Sequence, residues 1–263
     1  MKVVETIITP ESAARLLHKN KHNRPLSIAH VKLLADEMSS GRWRLNGDTI
    51  RMNGELLIDG QHRLYACVKS NTPFRTLVVE GLSSDVFDTI DTGKNRSAAD
   101  TLALRGEKNT KCLAASIIFV DQYFRGNLKS RNKYSSSKIE ELLNNSYPDI
   151  RSSVSFANRF NLRRMVPKSL FAGLHYLFSK SDENLADWFM ECFLKGQGVT
   201  DDDPVYILRE RMLRNTLSKS KLKNEYIAAI FIKAWNATKS GKKIRALSWI
   251  EEGKTPEQFP VIT

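Results

Sequence analysis

Asp59-Gly60-Gln61-His62-Arg63 places a carboxylate, a glycine, an imidazole and a guanidinium within five residues. Closing a strand and opening a helix, such a run suits an anion. The first N–H groups of a helix lack intrahelical partners and lie at the positive end of its dipole. Gly60 has no Cβ, so an anion can approach the main chain there. Gln61 lies in the same first turn, and Arg63 adds a planar fork of donors matched to phosphate. His62 exchanges a proton near neutral pH. Asp59 is placed to hold a metal ion or to orient an incoming hydroxyl or water. Asp59 and His62 are therefore the candidate catalytic residues, and Gly60, Gln61 and Arg63 the candidate phosphate ligands. The alternative is a plain strand-to-helix turn in which Asp59 caps the helix.

A second loop, Asp91-Thr92-Gly93-Lys94-Asn95-Arg96-Ser97, offers the other half of such a site. Lys94 and Arg96 suit phosphate oxygens, Thr92, Gly93 and Ser97 extend the phosphate-binding set, and Asp91 is placed to share Mg²⁺ with a nucleotide. The alternative is a surface turn whose Ser97 caps the next helix. Asn46-Gly47-Asp48 either lines the same cleft or is an ordinary turn.

The elements that must position these residues follow from periodicity. Thr9-Pro10-Glu11 starts a helix with Ala13, Ala14, Leu16 and Leu17 on its apolar stripe. A second helix starts at Ser27, carries Ile28, Val31, Leu34, Ala35 and Met38, and stops at Gly41. Strands at 49–52 and 55–58 flank Asn53-Gly54, a strong local hairpin signal. The second strand runs into Asp59 and a helix follows, with Leu64, Cys67 and Val68 on its apolar face. After Pro73 comes a strand at 76–80, then helices at 84–89 and 98–104. Beyond residue 109 the strand signals fade. Helices are expected near 111–124, 136–144, 149–160, 168–179, 183–194, 205–218 and 224–239. The expected fold is α+β over residues 1–108 and all-helical over 109–263.

The stretch from about Ser27 to Leu104 resembles the ParB/sulfiredoxin superfamily in the order of its parts. Gly60-Gln61-His62-Arg63-Leu64-Tyr65-Ala66 sits where ParB-type domains carry a Gly-Glu-Arg-Arg-x-x-Ala box. Leu77-Val78-Val79 is similar to the strand after that box, and the loop at 91–97 resembles a variant of the Glu-Asn-x-x-Arg box. The Asp-Gly-Gln-His-Arg wording resembles members found beside DNA-modification systems and in phage genomes. The resemblance implies a small mixed sheet with helices. It also implies a nucleoside triphosphate, with ATP the expected one, bound with Mg²⁺ for phosphoryl transfer or hydrolysis in a pathway acting on DNA. The alternative is a non-catalytic DNA-binding regulator or scaffold with a nucleotide switch or a degenerate site. Gln61 stands where sulfiredoxins have a reactive cysteine, which argues against sulfinic-acid reduction. His62 replaces the first of the two arginines of partition-type ParB proteins, and Asp91-Thr92 replaces their Glu-Asn. Both changes argue against CTP-gated clamping. The free-serine kinases, with an Asp-Gly-His-His-Arg turn, come closer.

Bulk properties bound the partners. The 263 residues carry a net charge of +12. Residues 1–108 hold 16 Lys/Arg against 13 Asp/Glu, leaving 25 against 16 for the remainder, so the excess is +3 and then +9. A basic excess of this size points to a polyanion, nucleic acid above all. Arg209, Arg211 and Arg214, close together on one expected helix, are the candidate DNA contacts. The alternative is solvated helix faces. No apolar run is long enough for a membrane helix, and the amino-terminal residues read as neither signal nor transit peptide. Cys67, Cys112 and Cys192 lie far apart, which suggests free thiols in a reducing cytosol; the family resemblance implies that this is a bacterial or phage-infected one. His18, His22 and His30 read as solvated or partly buried, and His175 as a hydrogen-bonded core histidine. Trp188, Phe189, Phe193, Phe231 and Trp235 are expected in the core. A homo-oligomer stays open.

Overall fold

The structure, a computed structural model, describes residues 1–21, 23–83, 96–130, 133–162, 164–253 and 255–263. The expected helix at 84–89, and Asp91, Thr92, Gly93 and Lys94 of the second loop, lie outside the described residues. The chain divides into two compact units, Met1–Arg96 with Arg131–Ser137, and Ser97–Ser130 with Lys138–Thr263. The boundary expected after residue 108 falls inside the second unit.

The first unit is mixed α+β. It contains β1 (Lys2–Ile8), α1 (Pro10–Leu17), α2 (Ile28–Ser39), β2 (Thr49–Asn53), β3 (Leu56–Asp59), α3 (Gln61–Ser70) and β4 (Phe74–Glu80). The sheet order is β1-β4-β2-β3. β1 and β3 are its edges, β2 runs parallel to β4, and the outer pairings are antiparallel. Ile8, Ile50, Met52, Leu57 and Phe74 from the strands meet Ala13, Val31, Ala35, Met38, Leu64, Ala66 and Cys67 from the three helices in one core.

Local chemistry explains the element ends. Thr9 and Ser12 close a reciprocal capping box at α1. The β2–β3 turn differs from expectation by one residue. Asn53 stays in the strand opposite Leu56, and only Gly54, at φ 54°, takes the left-handed position. A two-residue turn with glycine first needs positive φ at that one position. β1 received no strand assignment from sequence. Its partner strand lies far along the chain, in the register Lys2↔Glu80 to Ile8↔Phe74, and nothing local announces that pairing.

The described residues of the second unit form α4 (Ala98–Leu104), α5 (Thr110–Phe124), α6 (Ser136–Glu141), α7 (Ile150–Asn158), α8 (Lys168–Ser179), α9 (Glu183–Lys195), α10 (Pro204–Leu217) and α11 (Asn224–Lys239). The first two residues of α6 belong to the first unit. A π-helical turn, Leu142–Ser146, follows α6 where one continuous helix was expected. Phe171, Phe178, Phe189, Phe193, Phe231 and Trp235 fill the core, with Phe178 stacked on Trp235 at 4.5 Å. Trp188 is a correction: it is 42% exposed. Adjacent helix positions point about 100° apart, and on α9 it is Phe189 that faces inward. The three cysteines are free, Cys67 and Cys192 buried and Cys112 half-buried. Among the described residues no helix is long and apolar enough to cross a membrane.

A candidate phosphate-binding turn

β3 delivers Asp59 to the start of α3, and Gly60 makes the change of direction. Gly60 has φ 105°, and a Cβ there would stand 2.4 Å from Cδ1 of Ile50. Both facts demand glycine. No side chain caps α3. Asp59 instead turns its carboxylate onto the turn itself. Its Oδ1 accepts the Gly60 N–H at 2.6 Å, and its Oδ2 accepts from Nη2 of Arg63 at 3.0 Å. Arg51, the register partner of Asp59 across β2–β3, brings Nη1 to 3.6 Å from the same Oδ2. That Nη1 is sealed from solvent and makes no hydrogen bond. Asp48 lies 3.9 Å from the other side of the Arg63 fork. Sequence reasoning missed Arg51. Only the strand register exposes its role, since it lies eight positions before Asp59.

Gln61 and His62 face the other way, onto the loop between α1 and α2. Nε2 of Gln61 donates to the Arg24 carbonyl at 2.8 Å, and Nδ2 of Asn20 donates to Oε1 of Gln61 at 3.1 Å. Nδ2 of Asn23 donates to the Leu57 carbonyl, and the Leu57 N–H donates to the Lys19 carbonyl. The loop is thereby strapped to β3 and α3. Nε2 of His62 accepts the N–H of Ser27, the residue that caps α2, at 3.0 Å. The ring is therefore neutral, with its proton on Nδ1. The His30 ring stands edge-on, 5.2 Å away.

This face is electropositive. Burial pushes the His62 pKa down, and His30, Arg24 and Arg63 push it further, against Asp59. Burial also lowers His30, helped by Lys133, Arg24 and Arg63. Arg24 from the α1–α2 loop and Arg63 from α3 thus bear on both imidazoles, and Lys133 on His30. The chain after Lys133 is anchored nearby. Glu37 of α2 accepts hydrogen bonds from the hydroxyls of Ser135 and Ser137 and from Nε of Arg42.

No protein-family model, curated protein or solved structure matches this chain. The residues themselves therefore carry the argument. They fit a phosphate in part: a helix start without a side-chain cap and two guanidinium groups, one of which holds a buried donor without an acceptor; the space at Gly60 that sequence assigned to an approaching anion is instead taken by Ile50. They fit a resident metal less well. Among the described residues no group of three His, Cys, Asp or Glu side chains is placed to hold one. Mg²⁺ would arrive on the phosphates that it neutralises.

Of the second loop, Arg96 is described and exposed. Ser97 belongs to the second unit, where its Oγ accepts the Asp100 N–H in a reciprocal capping box at α4. This is the capping role that sequence offered as the alternative. The three candidate DNA arginines do not share a face. Arg209 and Arg211 lie roughly 200° apart around α10. Both are half-buried, with Nε sealed and without a hydrogen bond, whereas Arg214 is exposed and its Nε donates to the Glu210 carbonyl.

His175 is the core histidine expected, and its partners add a constellation that sequence spacing did not reveal. Nδ1 meets the Ser153 hydroxyl at 2.9 Å, Nε2 meets Asp187 at 2.7 Å, and the ring stacks on Phe156. A Ser–His–Asp set suggests nucleophilic catalysis. Here the serine is only 2% exposed and the aspartate is the open end, 51% exposed. No substrate reaches such a serine. The set ties α7, α8 and α9 together.

Proposed function

We propose that the first unit is a nucleotide-phosphate-binding module of the ParB/sulfiredoxin-like class, with the phosphates received at the start of α3. The observation that carries this reading is the convergence at one uncapped helix N-terminus of Gly60, the Arg63 guanidinium and the unbonded Nη1 of Arg51. Helix N–H groups, dipole and guanidinium forks together favour phosphate over a neutral ligand. ATP with Mg²⁺ is the proposed ligand, and DNA, drawn by the basic second half, the proposed partner. The chemistry is NTP-dependent phosphoryl transfer or hydrolysis linked to DNA modification or processing. A second reading, a nucleotide switch in a DNA-binding regulator, is favoured by one observation. Both Asp59 oxygens and Nε2 of His62 already accept hydrogen bonds within the fold, which leaves little free basicity for proton transfer.

One experiment separates the readings. The purified protein is incubated with each NTP and Mg²⁺, with and without DNA, and binding and phosphate or diphosphate release are both followed. Release above the blank supports the enzyme. Saturable binding without release supports the switch. Absence of both sinks the nucleotide reading.

A further inference from the structure

The Asp59 carboxylate occupies the place that an anionic ligand would want. One oxygen takes the N–H of Gly60, the residue before α3, and the other takes the Arg63 fork and faces the buried, unbonded Nη1 of Arg51. A phosphate recognised by a helix start and two arginines uses this same set of donors. Asp59 is short and tethered to the turn, so it reaches these donors without leaving the main chain. Yet it satisfies them incompletely. Its contact with Arg51 is 3.6 Å, beyond hydrogen-bond range, and the buried Nη1 has no other acceptor. A phosphoryl group, with three oxygens and more charge, has acceptors for all three donors.

We infer that Asp59 is an internal placeholder for the ligand phosphate, and that Arg51 is a third phosphate ligand alongside the Arg63 side chain and the Gly60 N–H. This inference rests on the nucleotide-phosphate reading. It assigns Asp59 a competing role in place of a catalytic one. Without ligand, the carboxylate keeps two arginines from repelling each other beside the positive end of a helix. With ligand, the phosphate displaces the carboxylate, which swings toward solvent. The site thereby discriminates by charge, because a weakly charged anion gains too little to evict Asp59. Polyphosphates are favoured over monoanions.

The test is isothermal titration calorimetry of the full chain with inorganic tripolyphosphate and with ATP, at low salt. Asp59→Asn keeps an oxygen for the Gly60 N–H and removes the competing charge, and Asp59→Ser does so with a shorter side chain. Both should bind tripolyphosphate about tenfold more tightly than the unmodified protein, the order expected when a charged competitor leaves two guanidinium groups. Arg51→Gln should bind about tenfold more weakly, and adding it to Asp59→Asn should cancel the gain. Unchanged or weaker binding in the Asp59 variants overturns the placeholder. Unchanged binding in Arg51→Gln overturns the third ligand, and that arm stands even if the Asp59 variants do not fold. If no form of the protein binds either probe, the nucleotide reading fails and the inference falls with it. Binding that is present but indifferent to Asp59 and Arg51 removes the inference alone.

Discussion

At residue 60 the backbone and the packing make the same demand. Positive φ excludes most side chains, and Ile50 excludes even a methyl group. Gly60→Ala should lose about 1–3 kcal/mol of stability, since strain and overlap add. Urea denaturation of the two proteins measures it, and an unchanged midpoint would show that the turn relaxes. Arg63 is 12% exposed on its side chain and faces Asp59 and Asp48. Arg63→Ala should weaken nucleotide binding by about 1–3 kcal/mol through the loss of a charge-assisted contact. Calorimetry showing full affinity in a folded variant would place the ligand elsewhere. The motif itself was legible in sequence, because glycine between a carboxylate and a basic pair has a local cause. What its side chains do was not. Gln61 and His62 look like ligands on paper, yet they brace Asn20, Arg24 and Ser27, and that contact depends on how α1, α2 and β3 pack.

Helices of the second unit were legible because their apolar period is local, and α8, α9 and α11 lie where that period places them. β1 and the π-helical turn were not, since a distant partner strand makes the one and the packing after α6 accompanies the other. Between elements, the His175 tie carries a pH signature. Burial holds the His175 pKa below its usual 6.5, although the Asp187 carboxylate pulls the other way. A depressed histidine is neutral when folded. Its contribution to stability is complete above pH 6.5 and is lost as pH falls through the folded value. His62 and His30 add in the same direction. Urea midpoints should therefore stay level from pH 8 to 7 and decline below about 6.5. His175→Phe should cost about 1–3 kcal/mol at pH 7, by leaving the buried Ser153 hydroxyl without its ring partner, and should flatten part of that decline. An acid limb as steep as in the unmodified protein would assign it to other groups.

At the scale of the whole chain, the +9 of the second half was expected to mark a DNA-binding surface; several of its cations are paired with carboxylates, but each such pair is neutral, so the net +9 stands. Lys129 pairs with Glu251, Lys195 with Glu191, Lys233 with Glu257 and Lys243 with Asp202 and Asp203. Lys221 donates to the last carbonyls of α10. Exposed pairs are weak and are screened by salt, so a phosphate backbone still competes for them. Binding through Z phosphates falls with salt at a log–log slope of about −0.9Z. With about four to six contacts, raising salt from 50 to 200 mM should weaken duplex binding by roughly 100-fold or more. Arg214→Ala should lower the slope by about one unit if that exposed side chain meets a phosphate, whereas Arg209 and Arg211, half-buried on different faces, should not act together. Absence of binding at low salt would reduce the charge to a solubility feature. The central claim, phosphate held at the start of α3, is tested most directly by following every backbone amide by ¹H–¹⁵N NMR while ATP and Mg²⁺ are added. The account predicts that the amides of Gly60, Gln61, His62 and Arg63 shift first and saturate together, with Arg51 close behind. Shifts that saturate elsewhere while these amides stay still would contradict it.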